Sequence, residues 1–376
     1  MRNFSLFFLL ILLSFFPHLL FSSDAKYLDN HSCQECHEKI YEEYSSSSHS
    51  RSYFNNELHR KIADKVSEKK YKCATCHMPM ADNLSDLLSG KARPDKNNKT
   101  HTDGVSCFFC HTIAYVKEAH AFNINTKARQ AKGFKPTLYG LLNDAEDSDK
   151  HSSVKNPVYA KKVCTGCHSH KLNENNVTIF RAMQVKEGSQ SCITCHMPEI
   201  DGGIEKMNKK TRSHHASHKF LGIHDKAFRA KGIDINISVE KQKLLITLTN
   251  KMDHPLIIQP ARVKYLSIEI YSQNQLIWQN YTNEPKEDMQ AYFSSSFLKD
   301  GHPIIIPAHS TDVQNNNLKA RETKSLYYTT PKLSKGDKIT VSLYLQLAKE
   351  ECLSIIELEN QEIVKPLLMK RIEKVL

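Results

Sequence analysis

Hydrophobic and polar positions divide the chain into three stretches. The first is an apolar run from Phe4 to Phe21 with interruptions at Ser14, Pro17 and His18. The second, to about residue 231, holds no sustained period; short amphipathic pieces near 40–44, 58–70 and 216–231 predict helices set among loops. From Gly232 the period becomes two. Ile233, Ile235, Ile237 and Val239 alternate with polar residues, as do Leu244, Ile246 and Leu248 after a polar turn at 241–243. Similar runs at 265–271, 275–281, 326–330 and 339–347 predict about seven strands, with a strand or helix over 364–375. The pattern predicts an α+β protein of two domains: a loop-rich, mainly α domain over 24–231 and an all-β sandwich over 232–376, behind a signal peptide over 1–23.

The leading run has the form of an export signal. Arg2 precedes it, and the small residues Ser22, Ser23 and Ala25 follow where a peptidase would cut. The expected location is therefore periplasmic. The alternative is an uncleaved anchor, since 18 apolar positions just reach across a bilayer. Pro17 and His18 speak against a clean span.

Cysteine arithmetic supplies the chemistry. Ten of the 11 cysteines lie in Cys-x-x-Cys-His, five times over: Cys33, Cys36 and His37; Cys73, Cys76 and His77; Cys107, Cys110 and His111; Cys164, Cys167 and His168; Cys192, Cys195 and His196. This is the attachment pattern of c-type haem. Two cysteines three apart share one face of a helical turn and form thioethers with the two vinyl groups of one haem. The following histidine passes under the ring and gives a nitrogen to iron. Zinc sites also pair Cys-x-x-Cys motifs, but five pairs is an odd number and a histidine after each has no role there. A thioredoxin-like site would occur once, and a disulfide framework remains open in an exported chain. Cys352 stands apart as a lone thiol. The expected cofactors are five covalently bound haems c.

Each iron offers a sixth position, and the chain has 20 histidines to fill them. His49 follows the first motif by twelve residues. His151 stands in a polar loop before the fourth. His214, His215, His218 and His224 crowd the segment after the last. The expected distal ligands are His49, His151, His218, His224 and His120, with His101 and then His59 or His254 as alternatives for the fifth. Met78 and Met197 directly follow proximal histidines and cannot reach the opposite face of the same ring. They are expected to pack on haem edges, and Pro79 and Pro198 to end the short helices.

Composition alters this picture little. Mean hydropathy of −0.51 with one apolar run excludes a polytopic membrane protein. The formal charge of +11 would suggest nucleic acid. However, five haems carry ten propionates, which nearly cancel it, and no basic stripe interleaved with aromatics occurs. No nucleic-acid partner is expected.

The chain resembles the multihaem c-type cytochromes of the cytochrome c-552/4-like group. The residues that carry the likeness are Cys33 to His49 with its Tyr-rich spacer, Gly104-Val105-Ser106-Cys107, the two Cys-His-Met-Pro boxes, His218-x-Phe220-x-Gly222-x-His224-Asp225, and Leu248-Thr249-Asn250 with His254-Pro255. The chain departs from the group at Tyr44, Asp253 and Ile258-Gln259-Pro260. The resemblance implies either an electron carrier or a catalytic member. As a carrier, the protein would pass electrons between a membrane quinol dehydrogenase and a periplasmic or outer-membrane acceptor through bis-histidine haems. As an enzyme, it would reduce or oxidise small nitrogen or sulfur compounds at one open haem, flanked by Tyr115, Lys117 or His120. No Cys-x-x-Cys-Lys motif occurs, so the Lys-ligated site of pentahaem nitrite reductases is absent. Residues 233–376 carry no catalytic cluster and are expected to mediate partner docking or self-association.

Overall fold

The computed structural model describes residues 28–67, 70–117, 122–126, 135–182, 190–203 and 212–376. The expected signal segment 1–23 and the candidate ligand His120 lie outside them. No helix among the described residues is long and apolar enough to cross a membrane.

The motif region is made of short helices and ribbons. Helices Glu38–Ser46 and Glu57–Ser67 are its longest among the described residues. Four two-stranded ribbons, which the sequence pattern did not predict, join them. These are β1 (Ile113–Lys117) with β2 (Phe122–Asn125), β3 (Thr137–Gly140) with β4 (Ser152–Lys155), β5 (His170–Leu172) with β6 (Thr178–Arg181), and β7 (Glu199–Asp201) with β8 (His214–Ala216). The expected helix over 216–231 is split. His214 to Ala216 pairs instead with Glu199 to Asp201, Phe220 turns the chain at φ 49°, and helix begins at Lys226, capped by the Asp225 carboxylate. Apolar burial in this region is divided among small clusters, such as Tyr53, Ala63, Tyr71, Met78 and Leu87, and Phe109, Ile113, Val116 and Tyr159.

Beyond Gly232 the chain is strand-rich. The strands are β9 (Ile233–Glu240), β10 (Lys243–Asn250), β11 (Val263–Ser272), β12 (Gln275–Gln279), β13 (Tyr292–Lys299), β14 (His302–Ile304), β15 (Asp312–Asn316), β16 (Thr323–Thr329), β17 (Lys338–Gln346) and β18 (Leu367–Val375). They form a three-stranded sheet in the order β16-β10-β9 and a seven-stranded one running β14-β13-β11-β17-β18, with β12 on β11 and β15 on β13. Ten strands thus replace the expected seven, and the last stretch is strand rather than helix. Leu244, Ile246, Leu248 and Leu326 of the small sheet pack against Leu266, Ile268, Phe293, Val341 and Leu343 of the large one. Leu343 is fully buried there. Leu343→Ala is expected to cost about 2–5 kcal/mol in denaturant unfolding followed by circular dichroism. Tyr327→Ala, at a side chain 66% exposed, should change stability by less than about 0.5 kcal/mol.

The two regions are clamped together. Leu58 and Ile62 of helix Glu57–Ser67 pack with Ala261, Ala348 and Cys352. Lys61 and Lys65 pair with Glu359 and Glu357, each at 3.0 Å. The Glu57 carboxylate accepts the backbone N–H groups of Glu359 and Asn360.

Candidate functional site

Each Cys-x-x-Cys-His unit lies in or beside one tight turn. In the first, second and fourth motifs the histidine N–H donates to the carbonyl of the first cysteine, at 2.9, 3.0 and 2.9 Å. Short helices Cys107–His111 and Cys192–His196 hold the third and fifth, opened by the hydroxyls of Ser106 and Ser191. One turn therefore brings two thiols and an imidazole to one side, as attachment to a single ring demands. None of the 11 cysteines is in a disulfide. Among the described residues no three of His, Cys, Asp or Glu converge as a metal cage.

The motifs are packed against one another out of sequence order. The Cys33 thiol lies against Cys107, Cys76 against Cys167, and Cys164 against Cys192. Asn30 fastens the first contact. Its amide donates to Tyr44 Oη (3.1 Å) and Asp103 O (3.2 Å), and its carbonyl accepts the Cys107 N–H (2.9 Å). Tyr44 Oη donates in turn to Asp103 O at 2.7 Å. Gly104 permits a further close approach. At φ 63°, a Cβ there would stand 2.5 Å from His49 O, and Val105 N donates to that same carbonyl.

Four motif histidines face a second imidazole at nearly constant spacing. Ring centroids are 6.2 Å apart for His37 and His151, 6.3 Å for His111 and His218, 6.0 Å for His168 and His49, and 6.3 Å for His196 and His254. Metal–imidazole bonds run about 2.0 Å, and the ligating nitrogen sits about 1.1 Å from the ring centre, so two rings across one metal have centroids about 6.2 Å apart. The spacing fits an iron between each pair. His77 meets His59 edge-on at 4.8 Å. That pair must open by about 1.4 Å to take an iron in the same way.

Hydrogen bonds at the other ring nitrogen agree with this. Nδ1 of His77, His111 and His196 bonds to the carbonyls of Ser52, Tyr139 and Leu221. Nδ1 of His218 and His254 bonds to Ala216 O and Pro255 O. An Nδ1–H held by a carbonyl leaves Nε2 as the lone-pair nitrogen, the arrangement common among metal-bound histidines. Burial pulls the imidazoles of His49 and His59 down to about 3, and those of His168, His218 and His254 to about 4. They are neutral at pH 7, as ligation requires. Glu43 places His218. One carboxylate oxygen accepts the His218 N–H (2.8 Å) and the other the His215 Nε2–H (3.0 Å). Burial works against that charge, but these bonds hold the carboxyl below its usual range.

Two further buried histidines are held by their own bonds. His101 spends both nitrogens, on the Asp95 N–H and Asn83 Oδ1. His215 spends its pair on Gly202 O and Glu43. Neither is free to ligate. His224, expected as a ligand, keeps an exposed surface and faces none of the motif rings among the described contacts; partial burial, and then the charges of Arg262, Arg51 and Arg229, lower its pKa. His254, ranked last by sequence, takes a place opposite His196; His59 lies beside His77, but its ring already meets Asn56 Nδ2 at 3.4 Å and the Gln259 side chain, which must give way before it can ligate. Met78 is fully buried in the cluster around Tyr53, and the short helices end at Met78 and Met197.

Comparison with known proteins follows this geometry. Residues 32–112 match the family model described as cytochrome c554 and c-prime. That match spans 81 of the 376 residues and takes in the first three motifs. The structure of a penta-haem cytochrome c552 from Thermochromatium tepidum superposes with a TM-score of 0.70 over 93% of this chain and 99% of that one, at 20% identity. The likeness extends to both the motif and the strand-rich regions. A hypothetical protein of Pyrococcus horikoshii aligns over 38% of this chain and 86% of its own at 10% identity, but its TM-score of 0.16 carries no argument. No curated protein matches.

Proposed function

We propose that the chain is an exported pentahaem cytochrome that relays electrons in a respiratory chain through five bis-histidine irons. The observation that carries this reading is the 6.0–6.3 Å spacing of four imidazole pairs. The cysteines of the five motifs hold the haems, Cys33 with Cys36 through Cys192 with Cys195. His37, His77, His111, His168 and His196 serve as proximal ligands. His151, His59, His218, His49 and His254 are their respective partners. When bound, each haem supplies a one-electron iron couple whose potential the axial ligands and surroundings set.

The chain's own residues do the remaining work. Carbonyls at Ser52, Tyr139 and Leu221 fix the proximal tautomers. Backbone and side-chain bonds such as those of Asn30 to Tyr44, Asp103 and Cys107 keep neighbouring attachment turns together, which shortens the gaps electrons must cross. Electrons would enter from a membrane quinol dehydrogenase and leave to a periplasmic or outer-membrane acceptor. The short His59–His77 contact makes the His77 iron the place to seek an open, catalytic position.

Electron paramagnetic resonance of the oxidised holoprotein tests this. Five low-spin irons and no high-spin signal are expected. One high-spin iron in five, with turnover of nitrite, hydroxylamine or sulfite, would replace the carrier by an enzyme.

A further inference from the structure

One of the four facing imidazole pairs is turned unlike the rest. The planes of His37 and His151 are 28° apart, those of His111 and His218 23°, and those of His196 and His254 26°. His168 and His49 stand 54° apart. In the three near-parallel pairs a bond at Nδ1 orients the distal ring: His218 to Ala216 O, His254 to Pro255 O, and His151 to Ser153 Oγ at 3.3 Å. His49 lacks that device. Its Nδ1 is buried and meets no hydrogen-bond partner among the described residues. Its backbone is pinned, since His49 O accepts the Val105 N–H at 3.1 Å. A pinned backbone still leaves the imidazole several orientations about its side-chain bonds.

Phe220 supplies what is missing. Its ring stands 4.3 Å from that of His49 at 81°, the edge-to-face arrangement that aromatic rings favour. The same ring lies 6.1 Å from His218 at 84°, so one phenyl group adjoins the distal rings of two sites. Phe220 is itself held. Its φ of 49° is uncommon for a bulky residue and persists only where the surroundings impose it. Here the Ser217 N–H donates to Pro198 O and the Leu221 N–H to His196 O, both at 2.9 Å. We propose that Phe220 is a positioning residue that holds the His49 imidazole crossed against His168, so that the iron between them has ligand planes unlike those of the other three facing pairs. The inference rests on the haem reading above. Crossed imidazole planes bring the two π-symmetry d orbitals of the iron closer in energy than parallel planes do, and in low-spin ferric iron this raises the largest g value. Axial ligation also sets the potential, so the phenyl ring tunes one step of the relay from outside the ligand set.

Electron paramagnetic resonance of the oxidised holoprotein and of F220A, F220L and F220Y provides the test, with H49G marking the component concerned by its loss. In F220A the largest g value of that component should fall toward those of the near-parallel pairs. The other four should not move, because His218 keeps its bond to Ala216 O. F220Y retains the flat ring and should retain the wild-type signal. F220L fills comparable space without a ring and should shift the component as F220A does. An unmoved component in F220A would overturn the assignment. So would a wild-type spectrum in F220L, because apolar volume alone would then suffice, or a shift confined to components other than the one lost in H49G. A wild-type protein with no covalent haem mass would instead remove the haem reading itself.

Discussion

His254→Gly is expected to turn one iron in five from low to high spin. His254 sits on the turn after β10, and its ring lies 6.3 Å from that of His196 with the two planes 26° apart. The turn is held from several sides. Asn250 Nδ2 donates to His254 O and Lys319 O. Asp253 pairs with Arg321 at 2.8 Å and accepts the Gln190 N–H, just before the fifth motif. Removing the imidazole therefore leaves a preformed gap rather than a collapsed loop. Low-spin intensity should fall by about one fifth, a high-spin signal should appear, and added imidazole should restore the original spectrum. His224→Gly should leave all five irons low-spin, because among the described residues no motif ring faces that side chain. Reversal of the two results would return the fifth distal position to the 214–224 segment.

The motif turns are legible in the sequence and the pairing of histidine rings across the fold is not, and the reason is range. Cys-x-x-Cys-His is complete within one turn, so its chemistry is written in adjacent residues. A distal ligand is defined by which ring nitrogen remains unspent after folding. His101 and His254 look alike in sequence, yet Asp95 and Asn83 consume the first, while Pro255 O consumes only Nδ1 of the second. The His196–His254 pair also joins regions separated by the whole start of the strand-rich part, and no local pattern signals it. The same limit applies to strands. β9 and β10 bury one face and show clean alternation. β13 is buried on nearly both faces, with Ser294, Ser295 and Ser296 at its centre, so its run lacks a period of two. Ser295 Oγ is accommodated by Asn315 Oδ1 at 2.7 Å, a partner supplied by β15. Helix 216–231 failed because the periodicity there is real only after Asp225; before it, His215 bonds Gly202 O and Glu43 and draws the chain into a ribbon.

Truncation after Lys231 is expected to leave all five haems attached but only three low-spin. All ten motif cysteines precede the cut, so the covalent haem mass should not change. His254 is lost outright. The second iron is affected through helix Glu57–Ser67, which carries His59 and leans on the part removed. Lys61 and Lys65 lose Glu359 and Glu357, and Glu57 loses the two N–H groups it accepts. Exposed ion pairs of this kind contribute little. The larger loss is apolar, since Leu58 and Ile62 give up Ala261, Ala348 and Cys352, at a cost of about 1.5–3 kcal/mol per fully buried side chain and less for these partly buried ones. An isolated helix of eleven residues is marginal in water, so His59 should no longer be held against His77. Lys61→Ala with Lys65→Ala should leave the spin count at five and separate the ionic from the apolar contribution. A strand-rich region that served docking alone would give the opposite outcome: five low-spin irons in the truncated protein, with only partner or self-association lost. The spin count therefore decides whether residues 232–376 are an appendage to the haem sites or one wall of two of them.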